Sequence, residues 1–369
     1  MTRLMRTPRH VDVEITSRCN LRCRYCYYFD NPGVPYRDVP TDVWKRFFAE
    51  LGECAIMDVT FQGGEPFLRE DLRELIESVV ENRMRFSILS NGTRITEEMA
   101  GFIAETGRCD TVQVSIDGST AEVHDAFRGA GSFDAAIGGV RTLQQCGLPV
   151  SVRVTIHRRN VENLDGIARF LLEDIGLPGF STNSAGSLGV CRQHANEVLL
   201  TPADRLTAME TLLRLNEKYN NRISATAGPL AEARHWQEME TARKSGEPPF
   251  SNGGRLTGCG CAWSEFAVRA DGAYIPCSML ADLPMGHINK DRLSDLWQNS
   301  PVLNGLRKRR EMSLNEFDFC KDCGYLPYCT GNCPGLAYSL TGKVDHPSPD
   351  ACLRRFLEEG GRLPTFRQH

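Results

Sequence analysis

Two periods alternate along the first half of the chain. The runs HVDVEIT, IMDVTF, RFSILS, TVQVSI and VSVRVTI are short and rich in β-branched and aromatic residues, and they predict strands. Between the first two, TDVWKRFFAEL places Val43, Phe47, Phe48 and Leu51 at helical spacing, with Thr41 expected as N-cap after Pro40. REDLRELIESVVEN, TEEMAGFIAET (capped by Thr96), FDAAIGGVRTLQQCG (ending at Gly147) and NLDGIARFLLEDIG predict the helices that follow. GFSTNS predicts a weaker sixth strand. Strands alternating with helices imply a parallel sheet joined by right-handed crossovers. The expected fold class is α/β, a partial, open (β/α)6 TIM-like barrel, with functional groups on the loops after the strands.

From about Leu188 the pattern loosens. TPADRLTAMETLLRLNEKYN predicts a helix capped by Thr201 with Pro202 in its first turn. TARKSGEPPFSNGGR is rich in Gly, Pro and charge and predicts a linker or mobile loop. Beyond it, cysteines are dense and secondary structure is expected to be sparse, as where metal ligands replace an apolar core. No internal repeat or low-complexity tract is present.

Composition narrows the class. The 369 residues are 41% hydrophobic and 24% charged, with a formal net charge of -4, so no bulk basic field suggests nucleic acid or an anionic membrane. No signal-peptide core and no bilayer-length apolar run is found, which makes the cytoplasm the expected location. Fifteen cysteines in a chain without an export signal point to thiolates that bind metal rather than to disulfides. Cys54, Cys109, Cys146 and Cys191 are scattered singly and are read as neutral or buried thiols. The eight histidines show no metal-binding spacing.

Cys19, Cys23 and Cys26 form C-x3-C-x2-C on the loop after the first strand. Thiolates from one short loop can hold three corners of an iron–sulfur cube and leave one iron open for chemistry. The alternative is an incomplete zinc knuckle. After the second strand comes FQGGEPFL, where Gly63 and Gly64 allow close backbone approach to a ligand and Glu65 can accept from an ammonium group. LSNGT offers Ser90 and Asn91 at the end of the third strand, and VSIDG offers Ser115 and Asp117 at the end of the fourth.

The motif CNLRCRYC, with aromatic Tyr25 before its third cysteine, resembles the signature of the radical S-adenosylmethionine (SAM) superfamily. That resemblance implies a [4Fe-4S] cluster on Cys19, Cys23 and Cys26 whose open iron chelates SAM, with reductive cleavage to a 5′-deoxyadenosyl radical that abstracts a hydrogen atom. It implies that Gly63, Gly64, Glu65 and Pro66 hold the SAM amino group. Ser90, Asn91, Ser115 and Asp117 would contact ribose and carboxylate. Arg153 would pair with the SAM carboxylate, with Arg128 as a rival. The resemblance also counts Tyr25 among the cofactor-binding residues, and Tyr27 and Tyr28 either line the SAM pocket or pack in the core.

The C-terminal cysteines resemble the SPASM extension of one branch of this superfamily, which in full form binds two auxiliary four-iron clusters. By position, Cys261, Cys277 and Cys333 serve the first cluster, with Cys259 as fourth ligand. Cys320, Cys323, Cys329 and Cys352 serve the second. Zinc is the alternative for the region. The implied organisation is a barrel over 9–230, a linker over 231–255, the SPASM domain over 256–357 and a tail over 358–369. The basic run LRKRRE is read as a solvated helix face, or as a surface for an acidic peptide.

The resemblance leads to a peptide-modifying oxidoreductase, a maturase that oxidises or cross-links a ribosomally made peptide. A flavodoxin or ferredoxin-type protein would donate the electron. Sulfatase-maturing relatives carry an aspartate base after the cysteine equivalent to Cys277; Ser278 stands there, so formylglycine formation is not expected, and no general base is assigned. The first strand begins near His10, so a leader peptide would need another docking surface or a separate protein. The second reading is oxidation or dehydrogenation of a small molecule, such as a sugar, an alcohol or a tetrapyrrole side chain. The third is an iron–sulfur electron carrier, against which the GGEP and SIDG segments argue.

Overall fold

The structure, a computed structural model, describes residues 4–247, 253–257 and 259–364. The strands are β1 (His10–Thr16), β2 (Asp58–Gly63), β3 (Arg85–Ser90), β4 (Cys109–Ser115), β5 (Val150–Ile156), β6 (Phe180–Ser184), β7 (Ile223–Ala225), β8 (Glu265–Val268), β9 (Ala273–Ile275) and β10 (Gly286–His287). They form one ten-stranded sheet in the order β10-β9-β8-β1-β2-β3-β4-β5-β6-β7. From β8 to β7 every neighbouring pair is parallel, and β9 and β10 are antiparallel additions. The connecting helices are α1 (Thr41–Glu53), α2 (Leu72–Glu81), α3 (Glu97–Glu105), α4 (Ala121–Arg128), α5 (Ser132–Gln145) and α6 (Leu164–Arg169). After them come α7 (Ala195–Val198), α8 (Pro202–Lys218) and α9 (Pro229–Ser245). The C-terminal region holds α10 (Leu293–Asn299), α11 (Pro301–Lys308), α12 (Pro334–Thr341) and α13 (Leu353–Glu358).

The expected α/β partial barrel is present, with differences. A seventh strand, β7, follows the expected six; three residues long, it is too short to carry a period. The C-terminal region is less sparse than expected, because β8 pairs directly with β1 and extends the barrel sheet. The segment read as a linker is largely helix: α9 runs from Pro229 to Ser245 and buries Trp236 and Met239. Residues 248–252 of that segment, and 365–369 of the tail, lie outside the described residues. Thr41 does not cap α1. Pro40 takes that place, and the Thr41 hydroxyl donates to Asp71 instead. Thr96 and Thr201 cap as expected, the latter in a reciprocal capping box with Asp204.

Strand parity separates two environments. Val13, Phe61 and Ile88 lie side by side in register and are wholly buried under the helices. The other parity is polar: Glu14 faces Gln62, and Ser115, Arg153 and Ser181 form one row. This inner face is a lumen lined by groups that can meet a ligand, not a packed apolar interior.

At the foot of the β1–β2 pair, His10 bonds Asp58 across the pair and Asp12 on its own strand, the latter at 3.0 Å. Burial works to lower its pKa, but bonds and charge from Asp12 and Asp58 outweigh it and hold the imidazole at about 9. The charged form is thus favoured on folding. Its contribution is full below the unfolded value near 6.5 and is lost as pH rises through 9. We expect His10→Gln to cost about 1–2 kcal/mol at pH 7. The deficit in melting temperature against the parent should shrink between pH 8 and 10; a constant deficit would refute the assignment.

Candidate functional site

The loop after β1 is pinned at both ends by one carboxylate. Asp38 accepts from the Thr16 hydroxyl at 2.6 Å, the Ser17 amide at 2.6 Å and the Ser17 hydroxyl at 2.7 Å. Within the loop, the Cys26 amide donates to the Cys23 carbonyl at 3.1 Å. The Cys19 sulfur accepts from the Leu21 amide at 3.4 Å and the Asn91 side chain at 3.8 Å. Burial pushes all three thiols up, Cys23 to about 12, although the charge of Arg128 opposes it there. They are therefore neutral until a metal centre displaces their protons. The donor set is purely sulfur, which suits an iron–sulfur cluster. Among the described residues no group of three His, Cys, Asp or Glu side chains is set for a single ion.

The strand-end residues meet this loop differently from expectation. Gly63 and Gly64 admit the loop's own backbone. A β-carbon on Gly63 would lie 2.4 Å from the Thr16 carbonyl, and one on Gly64 2.1 Å from that of Arg18. The Gly64 and Glu65 amides donate to those same two carbonyls, each at 2.8 Å. Pro66 opens a buried 3₁₀ turn, and Glu65 caps it by accepting from the Phe67 amide at 3.1 Å. Glu65 is fully buried. It also accepts from the Ser90 hydroxyl at 2.8 Å and the Asn91 amide at 2.7 Å, and burial raises its pKa to about 7. Oε2 keeps room for one further donor.

Asp117 is committed inside the protein. Its carboxylate accepts from Arg128 Nε at 2.6 Å, the Thr155 amide at 2.7 Å and the Tyr25 hydroxyl. Tyr25 also stacks on His157, and the Arg128 guanidinium lies over its ring. These residues brace the cysteine loop from below, and Arg128 is occupied by Asp117. Ser115 and Arg153 are neighbours in the β4–β5 register. Arg153 donates to Ser181 Oγ at 3.3 Å, and among the described residues no carboxylate pairs with it. It is a cation on the inner face open to an anion.

The C-terminal thiols fall into two groups. Cys261 lies in hydrogen-bonding contact with both Cys259 and Cys277. Contact with Cys261 lowers Cys259, and its two neighbours raise Cys261. Cys333 lies within electrostatic range of Cys277 and Cys259. The other four, Cys320, Cys323, Cys329 and Cys352, line one apolar cavity of about 30 Å³. The four scattered cysteines stand apart from both groups. Burial pushes Cys54 up, Cys109 to about 12 and Cys191 to about 11.

Two features escaped the sequence. The basic run is not a solvated face: Arg309 is wholly buried, Arg307 packs on Trp297 and Arg310 on Trp263. On the lumen wall, Glu14 is 3% exposed and among the described residues its Oε1 has no hydrogen-bond partner. Ser278, directly after Cys277, lies within bonding reach of Glu14 and accepts from Gln62 Nε2 at 3.0 Å. Burial raises the Glu14 pKa to about 8; Ser278 and Arg269 oppose this, while Asp12 and Asp271 add to it. Tyr27 lies within electrostatic range of Glu14, Cys26 and Cys277. The strand alternation in VDVEIT was the available signal, since it turns Glu14 inward.

Comparison with known proteins agrees with this layout. The family described as Radical SAM superfamily matches residues 13–171, and an iron-sulfur cluster-binding domain, SPASM, matches 259–324. Fe-coproporphyrin III synthase of Methanosarcina barkeri is 30% identical over 92% of this chain and 87% of its own. The AdoMet-dependent heme synthase of the same organism is 27% identical over 96% and 99%. Mycofactocin maturase MftC of Mycobacterium tuberculosis is 28% identical over 94% and 83%. The fold matches that of Streptococcus suis SuiB bound to precursor peptide SuiA, with a TM-score of 0.72 at 16% identity, covering 95% of this chain and 77% of that one. A cysteine loop on β1, a parallel partial barrel and a full-length likeness to these enzymes agree: the chain belongs to the radical SAM superfamily and carries a C-terminal SPASM iron–sulfur cluster-binding domain.

Proposed function

We propose that this enzyme oxidises or cross-links a ribosomally made peptide, starting from hydrogen-atom abstraction in the barrel lumen. The observation that carries an oxidative reading is the lumen itself. It holds three thiols at the β1 loop, a second thiol group around Cys277, and the polar set Glu14, Gln62 and Ser278 beside Cys277, with Tyr27 in electrostatic range of Glu14, Cys26 and Cys277. Bound at Cys19, Cys23 and Cys26, a [4Fe-4S] cluster with SAM supplies a 5′-deoxyadenosyl radical. Glu65 offers Oε2 to the SAM amino group, Ser90, Asn91 and Ser115 stand at the strand ends beside it, and Arg153 pairs with the SAM carboxylate. Cys259, Cys261, Cys277 and Cys333 hold a first auxiliary cluster. Cys320, Cys323, Cys329 and Cys352 hold a second. Glu14 is the buried carboxyl placed to take a proton from the substrate, its pKa near the working pH as a general base requires.

The peptide reading is supported by the likeness to a mycofactocin maturase and to a PqqA peptide cyclase of Granulibacter bethesdensis, 26% identical over 92% of the chain. A leader-binding protein and a flavodoxin or ferredoxin-type donor would be its partners. A second reading, oxidation of tetrapyrrole side chains, is favoured by the two Methanosarcina relatives, which match nearly the whole chain. Substrates deuterated on carbon separate the two. Label should pass into 5′-deoxyadenosine from a peptide encoded beside the gene. Transfer from iron coproporphyrin III alone would install the second reading.

Anaerobic reconstitution should load about twelve irons, four per cluster. Dithionite and SAM should then release 5′-deoxyadenosine. Cys23→Ala should cut that release more than about 100-fold and lower the iron count to about eight; undiminished cleavage would remove the β1 loop from the chemistry. Glu14→Gln tests the buried carboxyl. Because folding raises its pKa from 4.5 to about 8, the stability tied to its retained proton is full below 4.5 and lost as pH rises through 8. The variant should match the parent near pH 5 and melt higher at pH 9, by at most about 5 kcal/mol. Equal melting of the two proteins at both pH values would show an ordinary, hydrated carboxylate.

A further inference from the structure

Charge pairing separates Arg309 from every other wholly or nearly buried arginine among the described residues. Arg69 pairs with Asp71 at 2.7 Å, Arg128 with Asp117 at 2.6 Å and Arg269 with Asp271 at 2.8 Å. Arg309 is 0% exposed, yet among the described residues no carboxylate lies within ion-pair distance of it. Among the described residues its guanidinium donates to main-chain carbonyls: Thr257 at 3.2 Å, Asn332 at 3.3 Å, His346 at 3.3 Å, and Val344. Two of these carbonyls adjoin the first auxiliary thiols, Asn332 beside Cys333 and Thr257 two residues before Cys259. The groups that act on its charge are Cys333, Cys259, Cys261 and the exposed Asp345, and burial works against that charge.

A buried cation without a counter-charge is costly, and several kcal/mol of penalty persist after relaxation. Hydrogen bonds from carbonyl dipoles offset part of this, but they supply no net charge. The missing anion is next door. Four thiolates around an iron–sulfur core carry net negative charge, and reduction adds one unit more. We infer that Arg309 is the built-in counter-ion of the first auxiliary cluster and holds that cluster at a higher reduction potential than it would otherwise have. A fixed positive charge favours the more negative, reduced form, and net charge and burial are among the levers that set such potentials. The arginine at the second thiol group is of a different kind: Arg354 donates to the Lys321 carbonyl at 2.9 Å and to that of Phe319, on either side of Cys320, but it is part-exposed and has the carboxylate of Glu358 3.5 Å away, so its charge is screened by solvent and partly offset. The two auxiliary sites are thereby made unequal, and the one joined to the lumen through Ser278 is the better electron acceptor.

The inference rests on the three-cluster reading, and the experiment keeps the two apart. Reconstituted holoenzyme is titrated with dithionite and followed by electron paramagnetic resonance, with iron counted in each sample. In Arg309→Gln, one of three potentials should fall so that its reduction becomes at least tenfold less favourable, about 59 mV for one electron. The other two should stay. Arg309→Lys, which keeps the charge but not the fork of bonds, should remain near the parent. Loss of four irons in the Gln protein, with full loading in the Lys protein, would equally support a charge requirement. Unchanged potentials in a fully loaded Gln protein overturn the inference, as does equal loss of iron from both variants, which marks a structural staple. If the parent itself loads only two clusters and lacks the one beside Arg309, the three-cluster reading fails first, and the count in the parent shows it.

Discussion

Two backbone hydrogen bonds hold the geometry on which the remainder depends. Gly64 and Glu65 donate to the carbonyls of Thr16 and Arg18 and so clamp the end of β2 along the root of the cysteine loop. The contact is main chain against main chain, so no side-chain rotation can relieve an intrusion there. Even a methyl group at residue 64 would overlap the Arg18 carbonyl. The clamp also fixes Glu65, whose carboxylate ties the end of β3 through Ser90 and Asn91. Asn91 in turn reaches the Cys19 sulfur. One glycine-dependent contact thus sets the loop, the carboxylate and the neighbouring strand end relative to one another.

Buried charge sorts the rest of the molecule. Arg69, Arg128 and Arg269 are closed pairs with nearby aspartates, and they brace loops. Arg153, Arg309 and Glu14 are not closed. Arg153 holds only a hydroxyl, Arg309 only carbonyls, and Glu14 leaves one oxygen with nothing. A folded chain tolerates such groups where a guest completes them. Arg309 adjoins Cys333 and Cys259, Glu14 lies within reach of Ser278 directly after Cys277, and Arg153 lines the inner face of the sheet. The pattern is the reverse of the scattered cysteines Cys109 and Cys191, which burial keeps neutral and which need no partner.

Most of the barrel and all eleven clustered thiols were legible in the sequence, because period and spacing are local properties. What escaped was non-local. β8 shows four residues of no special pattern, and only its pairing with β1 makes it a barrel strand. α9 has little amphipathic contrast, since it is covered on several sides, and its polar composition reads as a linker. Thr41 looked like a cap until Asp71, thirty residues away, took its hydroxyl. Arg309 sat in a run of basic residues, where solvation is the usual fate. Its burial depends on carbonyls from Thr257 to His346 that converge only in the fold. Gly63 and Gly64 were read as places where the backbone comes close to a ligand; in the structure the group that comes close is the backbone of the cysteine loop.

The pairing of β8 with β1 has a further consequence for chemistry. Glu265 lies opposite His10 and Val268 opposite Val13, so Cys261 precedes the sheet at its N-terminal end while Cys19 follows it at the C-terminal end. Glu14 is one residue past the last β8 pair and directly across from Gln62. Glu14 therefore lies on β1 between the end of the sheet that Cys261 precedes and the end that Cys19 follows. Radical chemistry needs a source and, for net oxidation, a sink, held apart by the substrate so that they do not discharge into each other. Two paired strands, with Cys261 before one and Cys19 after the other and the buried Glu14 carboxyl between, hold the two thiol groups apart by strand pairing. This arrangement also explains why the C-terminal cysteine region is joined to the barrel by strand pairing. A flexible attachment would let the interval between the two thiol groups vary.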